Sequence, residues 1–169
     1  GPDSHGIWEK DGAVLGHRRL AVVDLSQAGH QPMLSQDSKL IISFNGEIYN
    51  YSELKDELPK KKYHSSSDTE VLMTLLATKG ATALNYLNGM FAFAWYDNSK
   101  QELLLVRDRA GKKPLYYCTL NGLFAFSSEI KALLTLPWIT SKVDDQAMYH
   151  FLTFNQLEAP QTMFQNIFN

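Results

Sequence analysis

The chain has 169 residues, 44% of them hydrophobic and 20% charged, a composition that is ordinary for a globular domain with a sizeable core. Its formal net charge of -2 argues against nucleic acid or an anionic membrane as a partner, and its longest apolar stretch, residues 90–96, is too short to span a bilayer. No charged-then-apolar leader opens the sequence, and the single cysteine, Cys118, forms no internal disulfide, so we expect a cytoplasmic protein.

The first half of the chain predicts strands followed by two helices. Branched and aromatic residues favour strands at 14–17, 20–25 and 40–44. Asn50 is a predicted N-cap for a helix over 51–58, and apolar residues at helical spacing predict a longer helix that begins at Ser67 and ends at Gly80. The basic run Lys60-Lys61-Lys62 stands beside a proline and is expected to be a solvated loop.

The second half predicts hairpins beside short helices. Asn121-Gly122 is a strong hairpin signal, and strands are expected at 90–96, 102–106, 115–120 and 123–126. Ser128 and Asp144 are predicted N-caps of helices that reach 134 and 151. Because strands and helices do not alternate regularly, the pattern indicates a single α/β domain whose layers pack around antiparallel sheets.

The segment Asn45-Gly46-Glu47 follows the apolar strand at 40–44 and has two interpretations. Asn-Gly is the strongest short hairpin signal, so a turn is the plainer one. A carboxamide and a free main-chain N–H at a strand tip are also the donors that hold a developing oxyanion during acyl transfer. The dipeptide alone favours the turn, and the rest of the chain reverses that order.

An ordered series of motifs runs through nearly the whole chain. It comprises GPDSHG at 1–6, GHRRLAVVD at 16–24, GHQPM at 29–33, NGEIYN at 45–50, SDTE at 67–70, GMFAFA at 89–94, RDRAGKKPLY at 107–116 and SEIKAL at 128–133. This series resembles the glutaminase domain of glutamine-hydrolysing asparagine synthetases, which are class II glutamine amidotransferases. So many matches in order are far more specific than any single short motif.

The resemblance implies an N-terminal-nucleophile hydrolase fold, a four-layer αββα sandwich of antiparallel sheets. In the family, a cysteine at the mature N-terminus attacks the side-chain amide of glutamine with its own α-amine as the base, ammonia leaves, and water hydrolyses the thioester. The ammonia travels to a C-terminal synthetase domain in cis that uses ATP and Mg to amidate aspartate. The glutaminase domain itself needs no cofactor, and family members often form homodimers.

The resemblance also assigns roles to residues of this chain. Arg19 would hold the α-carboxylate of glutamine, since a guanidinium fork suits two carboxylate oxygens, and Asp68 would pair with the α-ammonium. Asn45 and Gly46 would form the oxyanion hole through the side chain of the first and the N–H of the second. The remaining substrate-binding residues would be Leu20, Val22, Val23 and Glu47.

Each assignment has a plainer alternative. Arg18 and Arg19 are also typical of surface charges at a strand start, and Asp68 is typical of a residue that complements a helix N-terminus. Glu47 is equally typical of a solvated turn. The run Arg107-Asp108-Arg109 favours a structural ion pair in a loop over a phosphate patch. The histidines show no spacing suited to a metal, so no metal site is predicted.

The family's nucleophilic cysteine belongs upstream of residues 1–3 and has no counterpart among the 169 residues. The chain is therefore expected to be a domain truncated at both ends, without its N-terminal strand and inactive by itself. Cys118 is expected to be a small buried hydrophobe. Residues 140–169 would form a C-terminal edge leading toward the absent synthetase domain. The alternatives are a non-catalytic glutamine-binding or interaction module, and a related amidotransferase with another ammonia acceptor.

Overall fold

The computed structural model describes residues 1–59 and 62–169, so Lys60 and Lys61 of the predicted basic loop lie outside the described residues. The chain is divided into two compact units, Gly1–Lys112 and Lys113–Asn169. Both contain antiparallel strands and short helices, which confirms the predicted mixed α/β class. Across the two described ranges, no helix combines the length and the apolarity needed to cross a membrane.

The first unit opens with a hairpin that the sequence analysis did not predict as a whole. Its strands are β1 (Ser4–Lys10) and β2 (Ala13–Arg19), which pair antiparallel. Asp11 and Gly12 form the turn with φ of 49° and 82°, the positive values that Asp-Gly supplies at little cost. The hairpin signal was present at Asp11-Gly12, but β1 lacks the run of branched apolar residues that marks a strand.

A four-stranded antiparallel sheet forms the centre of this unit, in the order β3-β4-β5-β6. The strands are β3 Met33–Leu34, β4 Leu40–Ile48, β5 Gly89–Asp97 and β6 Glu102–Arg107. Residues 45 and 46 lie inside β4 and continue to pair with β5, so the hairpin-turn interpretation of Asn-Gly is wrong. On its other side β4 pairs with β3 only at residues 41 and 42. Within the described residues, no strand pairs with the rest of this edge of β4, beyond residue 42.

Two helices cover one face of this sheet. α1 (Tyr51–Glu57) begins after Asn50 as predicted, but the Asn50 side chain bonds the main chain of residues 86 and 88 instead of capping the helix. α2 (Asp68–Lys79) begins and ends where the sequence predicts, with the Ser67 hydroxyl accepting from the Glu70 N–H and Gly80 after the last turn. The helices pack against the sheet through a core that includes Ile42, Phe44, Ile48, Leu54, Leu72, Leu75, Phe91 and Phe93.

The predicted strand at 20–25 does not form. The carbonyl oxygens of Asp24 and Ser26 accept hydrogen bonds from the Arg19 guanidinium, and the Asp24 carboxylate accepts from the Ser26 N–H at 2.8 Å. These side-chain bonds to the main chain curl the segment into a loop, because a main chain bonded in this way is not available to pair with a strand. The apolar pattern of residues 20–25 therefore does not reflect sheet burial.

The second unit contains a three-stranded sheet in the order β8-β7-β9, with bounds β7 Tyr116–Leu120, β8 Leu123–Ser127 and β9 Ile167–Phe168. The predicted Asn121-Gly122 turn joins β7 and β8. α3 (Ile130–Leu133) begins later than predicted, because the Ser127 hydroxyl bonds the Glu129 N–H and Glu129 holds the cap position in place of Ser128. α4 (Asp145–Phe154) is capped by Asp144 as expected.

Candidate active site

The exposed edge of β4 determines the candidate site. The Phe44 N–H donates to Oε1 of Gln31 at 2.6 Å, and the Ile48 N–H donates to Oδ2 of Asp68 at 2.9 Å, so both point away from β5. Main-chain N–H groups of successive residues in a strand point to opposite edges of that strand. Gly46 lies two residues from both Phe44 and Ile48, so its N–H points to the same edge as theirs. It therefore takes no part in the ladder with β5.

The far side of β5 provides an independent check of this geometry. Gly46 lies opposite Phe91, whose carbonyl oxygen accepts from the Asp108 N–H at 2.7 Å on the side of β6. Gly46 and Phe91 therefore form a pair without mutual hydrogen bonds. Among residues 1–59 and 62–169, no acceptor outside the ladder meets the Gly46 N–H. The main chain thus presents one unused donor at an open edge.

Steric contact explains why residue 46 is glycine. A Cβ at this position would collide with the carbonyl oxygen of Met90 and would lie 2.7 Å from the Cα of Phe91. β4 and β5 approach each other too closely here for any side chain. The neighbouring Asn45 is half-buried, on the opposite face from Phe44, and its carboxamide bonds no side chain or main chain in the described part of the protein. Two donors, one from a side chain and one from the main chain, thus follow each other along β4.

Asp68 links this edge to the start of α2. The residue is only 4% exposed, and it accepts the Ile48 N–H while it occupies the first position of the helix. Burial raises the pKa of its carboxyl group and the negative charge of Glu47 adds to this effect, whereas hydrogen bonds from the Ile48 and Thr69 main chain oppose it. Its side chain forms no ion pair within the described ranges. A buried carboxylate beside a second carboxylate favours binding of a cation.

Arg19 is 9% exposed and lies at the end of β2. Its guanidinium donates to the carbonyl oxygens of Asp24 and Ser26, the latter at 2.9 Å, and packs directly over Gly29, where a Cβ would collide with it. These contacts use two of the five N–H donors of the guanidinium and fix its plane. The remaining donors retain the fork geometry that suits a carboxylate.

Asp24 joins the Arg19 loop to the start of α2. One oxygen of its carboxylate accepts from the Ser26 N–H and hydroxyl at 2.8 and 2.6 Å, and the other accepts from the Ser66 N–H at 2.8 Å. The Ser26 hydroxyl and the two main-chain N–H groups hold the pKa of Asp24 at about 2, against the opposing effect of burial. Because Ser66 precedes Asp68 by two residues, hydrogen bonds together with short stretches of main chain connect Arg19, Asp68 and β4.

Not every predicted residue belongs to this connected set. Leu20 and Val22 are 64% and 70% exposed, and Val23 is 36% exposed. These side chains therefore face solvent and do not form a buried apolar wall of a pocket. Glu47 is half-buried within β4, next to Gly46, and its charge acts on Asp68. The turn interpretation of Glu47 is therefore wrong, because the residue is paired with Met90 of β5.

The loop after β6 has a structural role. The Asp108 carboxylate accepts N–H bonds from Phe91, Ala110 and Lys112, and Arg107 donates to the Gly111 carbonyl oxygen at 2.8 Å. These hydrogen bonds to main-chain groups close the loop onto β5. The predicted ion pair within the Arg-Asp-Arg run stays a prediction. In the described residues, no group of three or more acidic, histidine or cysteine side chains could hold a metal ion.

Cys118 lies in β7 of the second unit and is fully buried. Burial raises the pKa of its thiol, which disfavours the thiolate that a nucleophile requires. The expectation that Cys118 is a small buried hydrophobe is confirmed. Sequence reasoning gave no role to Gln31 and Asp24. The signal available in the sequence was that each is a polar residue inside a motif of the series, GHQPM for Gln31 and GHRRLAVVD for Asp24.

The mixed α/β architecture with antiparallel sheets is an N-terminal-nucleophile hydrolase type of fold. A solved structure of glutamine phosphoribosylpyrophosphate amidotransferase from B. subtilis matches 71% of the chain and 28% of its own length, with a TM-score of 0.61 and 28% identity. The family model described as glutamine amidotransferase domain matches residues 1–169. The chain belongs to this glutamine amidotransferase family.

Curated relatives identify the branch of the family that the chain resembles. Asparagine synthetase [glutamine-hydrolyzing] 1 of Bacillus subtilis is 38% identical over 165 residues, which cover 96% of this chain and 26% of the relative. Asparagine synthetase B [glutamine-hydrolyzing] of Escherichia coli is 42% identical over 136 residues, covering 79% of this chain and 24% of the relative. The chain therefore spans about a quarter of the length of these relatives.

Proposed function

We propose that this chain is the glutaminase part of an asparagine-synthetase-like amidotransferase, which releases ammonia from glutamine for the ATP-dependent amidation of aspartate. The unpaired Gly46 N–H beside the Asn45 carboxamide carries the proposal. As the nucleophile attacks the side-chain carbonyl carbon of glutamine, the carbonyl oxygen becomes negative, and these two donors stabilise it. Ammonia leaves, and water hydrolyses the resulting thioester.

The two ends of glutamine would be recognised by opposite charges. Arg19 would bind the α-carboxylate with the donors that the Asp24 and Ser26 carbonyls leave unused. Asp68 and the neighbouring Glu47 would bind the α-ammonium, because a cation relieves the repulsion between the buried Asp68 carboxylate and the half-buried Glu47 carboxylate. Leu20, Val22 and Val23, which are exposed in the structure, would cover the aliphatic part of the substrate once it is bound.

The reaction needs a cysteine with a free α-amine, and the 169 residues contain only the buried Cys118. A polypeptide of just these residues would therefore bind glutamine and leave it intact. In the complete protein, the cysteine would directly follow the initiator methionine, and a synthetase domain in cis would bind ATP and Mg and consume the ammonia. We propose a cytoplasmic location for the protein, and a homodimer is the assembly to test first because members of the family often dimerise.

A non-catalytic glutamine-binding module is the second candidate, because Arg19 and Asp68 would serve binding of glutamine whether or not a nucleophile attacks it. The reading frame upstream of Gly1 separates the two. A cysteine immediately after the initiator methionine supports the glutaminase, and any other residue there leaves only the binding module.

Calorimetry tests the pocket that both candidates share. The 169-residue polypeptide is titrated with L-glutamine, with D-glutamine and with glutaramate, which lacks the α-amino group. We expect binding of L-glutamine and a loss of at least about tenfold in affinity for the other two, because each misplaces or removes the partner of Asp68. Equal affinity for all three ligands would contradict the assignment of Asp68 to the α-ammonium.

A further inference from the structure

Gln31 makes an unusual contact with β4. Its side chain is buried, with the residue 6% exposed, and its carboxamide bonds both main-chain groups of Phe44. Nε2 donates to the Phe44 carbonyl oxygen at 3.1 Å, and Oε1 accepts from the Phe44 N–H at 2.6 Å. A carboxamide carries the same donor and acceptor as a peptide group. The Gln31 side chain therefore makes the two hydrogen bonds that a residue of an adjacent strand would make with Phe44, and this pair of bonds is called a rung below.

This rung ends the pairing of β4 at a defined residue. β3 pairs with residues 41 and 42, and the Gln31 side chain adds Phe44, the next residue that points to the same edge. The following residue on that edge is Gly46, whose N–H is unpaired, and the one after it is Ile48, which bonds Asp68. Gln31 and Asp68 thus hold the main chain on either side of the Gly46 donor.

The hairpin of the first unit holds Gln31 in place. Gly6 of β1 packs so closely on residues 30 and 31 that a Cβ would collide with the Gln31 carbonyl oxygen and would lie 2.6 Å from Nε2 of His30. The backbone of Gln31 therefore packs against β1, while its side chain bonds β4. The side chain extends from a fixed base, which limits how far the Phe44 main chain can rotate.

We propose that Gln31 is a positioning residue for the oxyanion hole: its carboxamide fixes the orientation of the strand two residues before Gly46, so that the Gly46 N–H and the Asn45 side chain stay aimed at the reacting oxygen. This inference rests on the proposed glutaminase function. Gln31 touches neither the substrate nor the nucleophile in this scheme. Its loss should therefore affect the transition state more than the binding of glutamine.

The test uses the protein made from the complete reading frame, with Gln31→Met as the variant. Methionine has a similar length and removes both hydrogen bonds. We expect the glutaminase kcat to fall about tenfold to hundredfold, less than the ~100- to 1,000-fold loss typical of deleting an oxyanion donor, with KM for glutamine changed less than about threefold. Ammonia-dependent synthesis should stay near the wild-type rate.

Ser35→Ala is the matched control. The Ser35 hydroxyl accepts from the Leu40 N–H at 3.0 Å, so it also bonds the main chain of β4, but at the opposite end of the strand. Equal effects of Gln31→Met and Ser35→Ala on kcat would overturn the inference, as would a rise in KM with unchanged kcat. If Gln31→Met does not fold, Gln31→Glu, which keeps the acceptor for the Phe44 N–H, must show the same fall in kcat.

The outcome for the wild-type protein separates the inference from the function on which it rests. A wild-type enzyme that hydrolyses glutamine while Gln31→Met and Gln31→Glu retain its kcat overturns the positioning role alone. A folded, cysteine-bearing wild-type protein without glutaminase activity overturns the proposed function, and the role of Gln31 with it.

Discussion

The carboxylate of Asp24 accepts a hydrogen bond from the main-chain N–H of Ser66 at 2.8 Å, across 42 residues of sequence. This bond ties the loop that holds Arg19 to the segment that begins α2 with Asp68. The two charged groups proposed to bind the ends of glutamine are therefore connected through the main chain and one buried carboxylate. The Asp24 carboxylate remains ionised throughout the physiological pH range, since its pKa is about 2.

Substitution of Gly46 by alanine should destabilise the protein. The new Cβ would meet main-chain atoms of Met90 and Phe91, and these atoms cannot move aside as the end of a flexible side chain could. We therefore expect a loss of about 1–3 kcal/mol in the free energy of unfolding. Gly16→Ala is the control, because a Cβ there meets nothing within 4 Å. Its effect should stay within about 0.5 kcal/mol. Urea denaturation of both variants checks the prediction, and similar losses would contradict it.

Replacement of Arg19 by alanine should weaken glutamine binding by more than about tenfold, because a charge-assisted contact with the α-carboxylate is lost. In the complete enzyme, the Michaelis constant for glutamine should rise while ammonia-dependent synthesis is nearly unchanged. The neighbouring Arg18 is exposed, and Arg18→Ala should bind glutamine within about twofold of wild type. Calorimetry and steady-state kinetics measure both effects. Parallel loss of the glutamine-dependent and ammonia-dependent activities would make Arg19 a structural residue.

Asp68→Asn should weaken glutamine binding strongly without loss of stability. The folded-state pKa of Asp68 is raised, so its ionised form costs stability, and that cost grows as pH rises from the ordinary value of 3.8 through the folded pKa. Asparagine keeps an acceptor for the Ile48 N–H and removes the charge, so the melting temperature at pH 7 should be unchanged or higher. The exposed Asp56 provides the control, Asp56→Asn, which should keep wild-type affinity.

The pH dependence of binding checks the same residue. In the wild type, glutamine affinity should fall as pH decreases through the raised pKa of Asp68, because the protonated carboxyl group no longer attracts an ammonium. Asp68→Asn should bind weakly at every pH and lack this dependence. Tight binding of glutamine by the variant would show that Asp68 only complements the N-terminus of α2 and does not bind the α-ammonium.

His17 should make the protein sensitive to acid. Burial lowers the pKa of His17 from 6.5 to about 4, with the positive charges of the N-terminal ammonium group, Arg19 and His30 contributing. Its Nδ1 lies 3.2 Å from the Ser43 hydroxyl oxygen. The unfolded chain binds a proton below pH 6.5 while the folded protein does so only near pH 4. Stability is therefore complete above pH 6.5 and is lost as pH falls from 6.5 to 4, by roughly 2 kcal/mol after allowance for partial solvent screening.

The variant His17→Gln removes this titration and keeps a polar partner for Ser43. Its unfolding free energy should be less dependent on pH than that of the wild type between pH 4 and 6.5, as followed by urea denaturation at several pH values. His5→Gln, at an exposed position of β1, is the control and should keep the wild-type slope. An unchanged slope in His17→Gln would show that another group carries the acid sensitivity.

Local signals predicted the elements whose causes are local. Ser67 and Gly80 mark the ends of α2, and Asn121-Gly122 forms the turn of the β7–β8 hairpin, because capping and turn geometry depend on residues a few positions apart. The same kind of signal failed at Asn45-Gly46. There, pairing of β4 with β5 extends through Ile48, and sheet formation outweighs the turn preference of the dipeptide.

The amino-acid sequence by itself determined the family, the mixed α/β class and the residue types of the candidate site, because ordered motifs and helix-capping residues are properties of the linear chain. Tertiary structure alone decided that residues 20–25 form a loop, that Gln31 closes one rung of β4, and that the Gly46 N–H is left over at the edge. The hydrogen-bond partner of a main-chain group depends on which distant segments lie beside it. Asp24 reaches Ser66 and Gln31 reaches Phe44 only after the chain has folded.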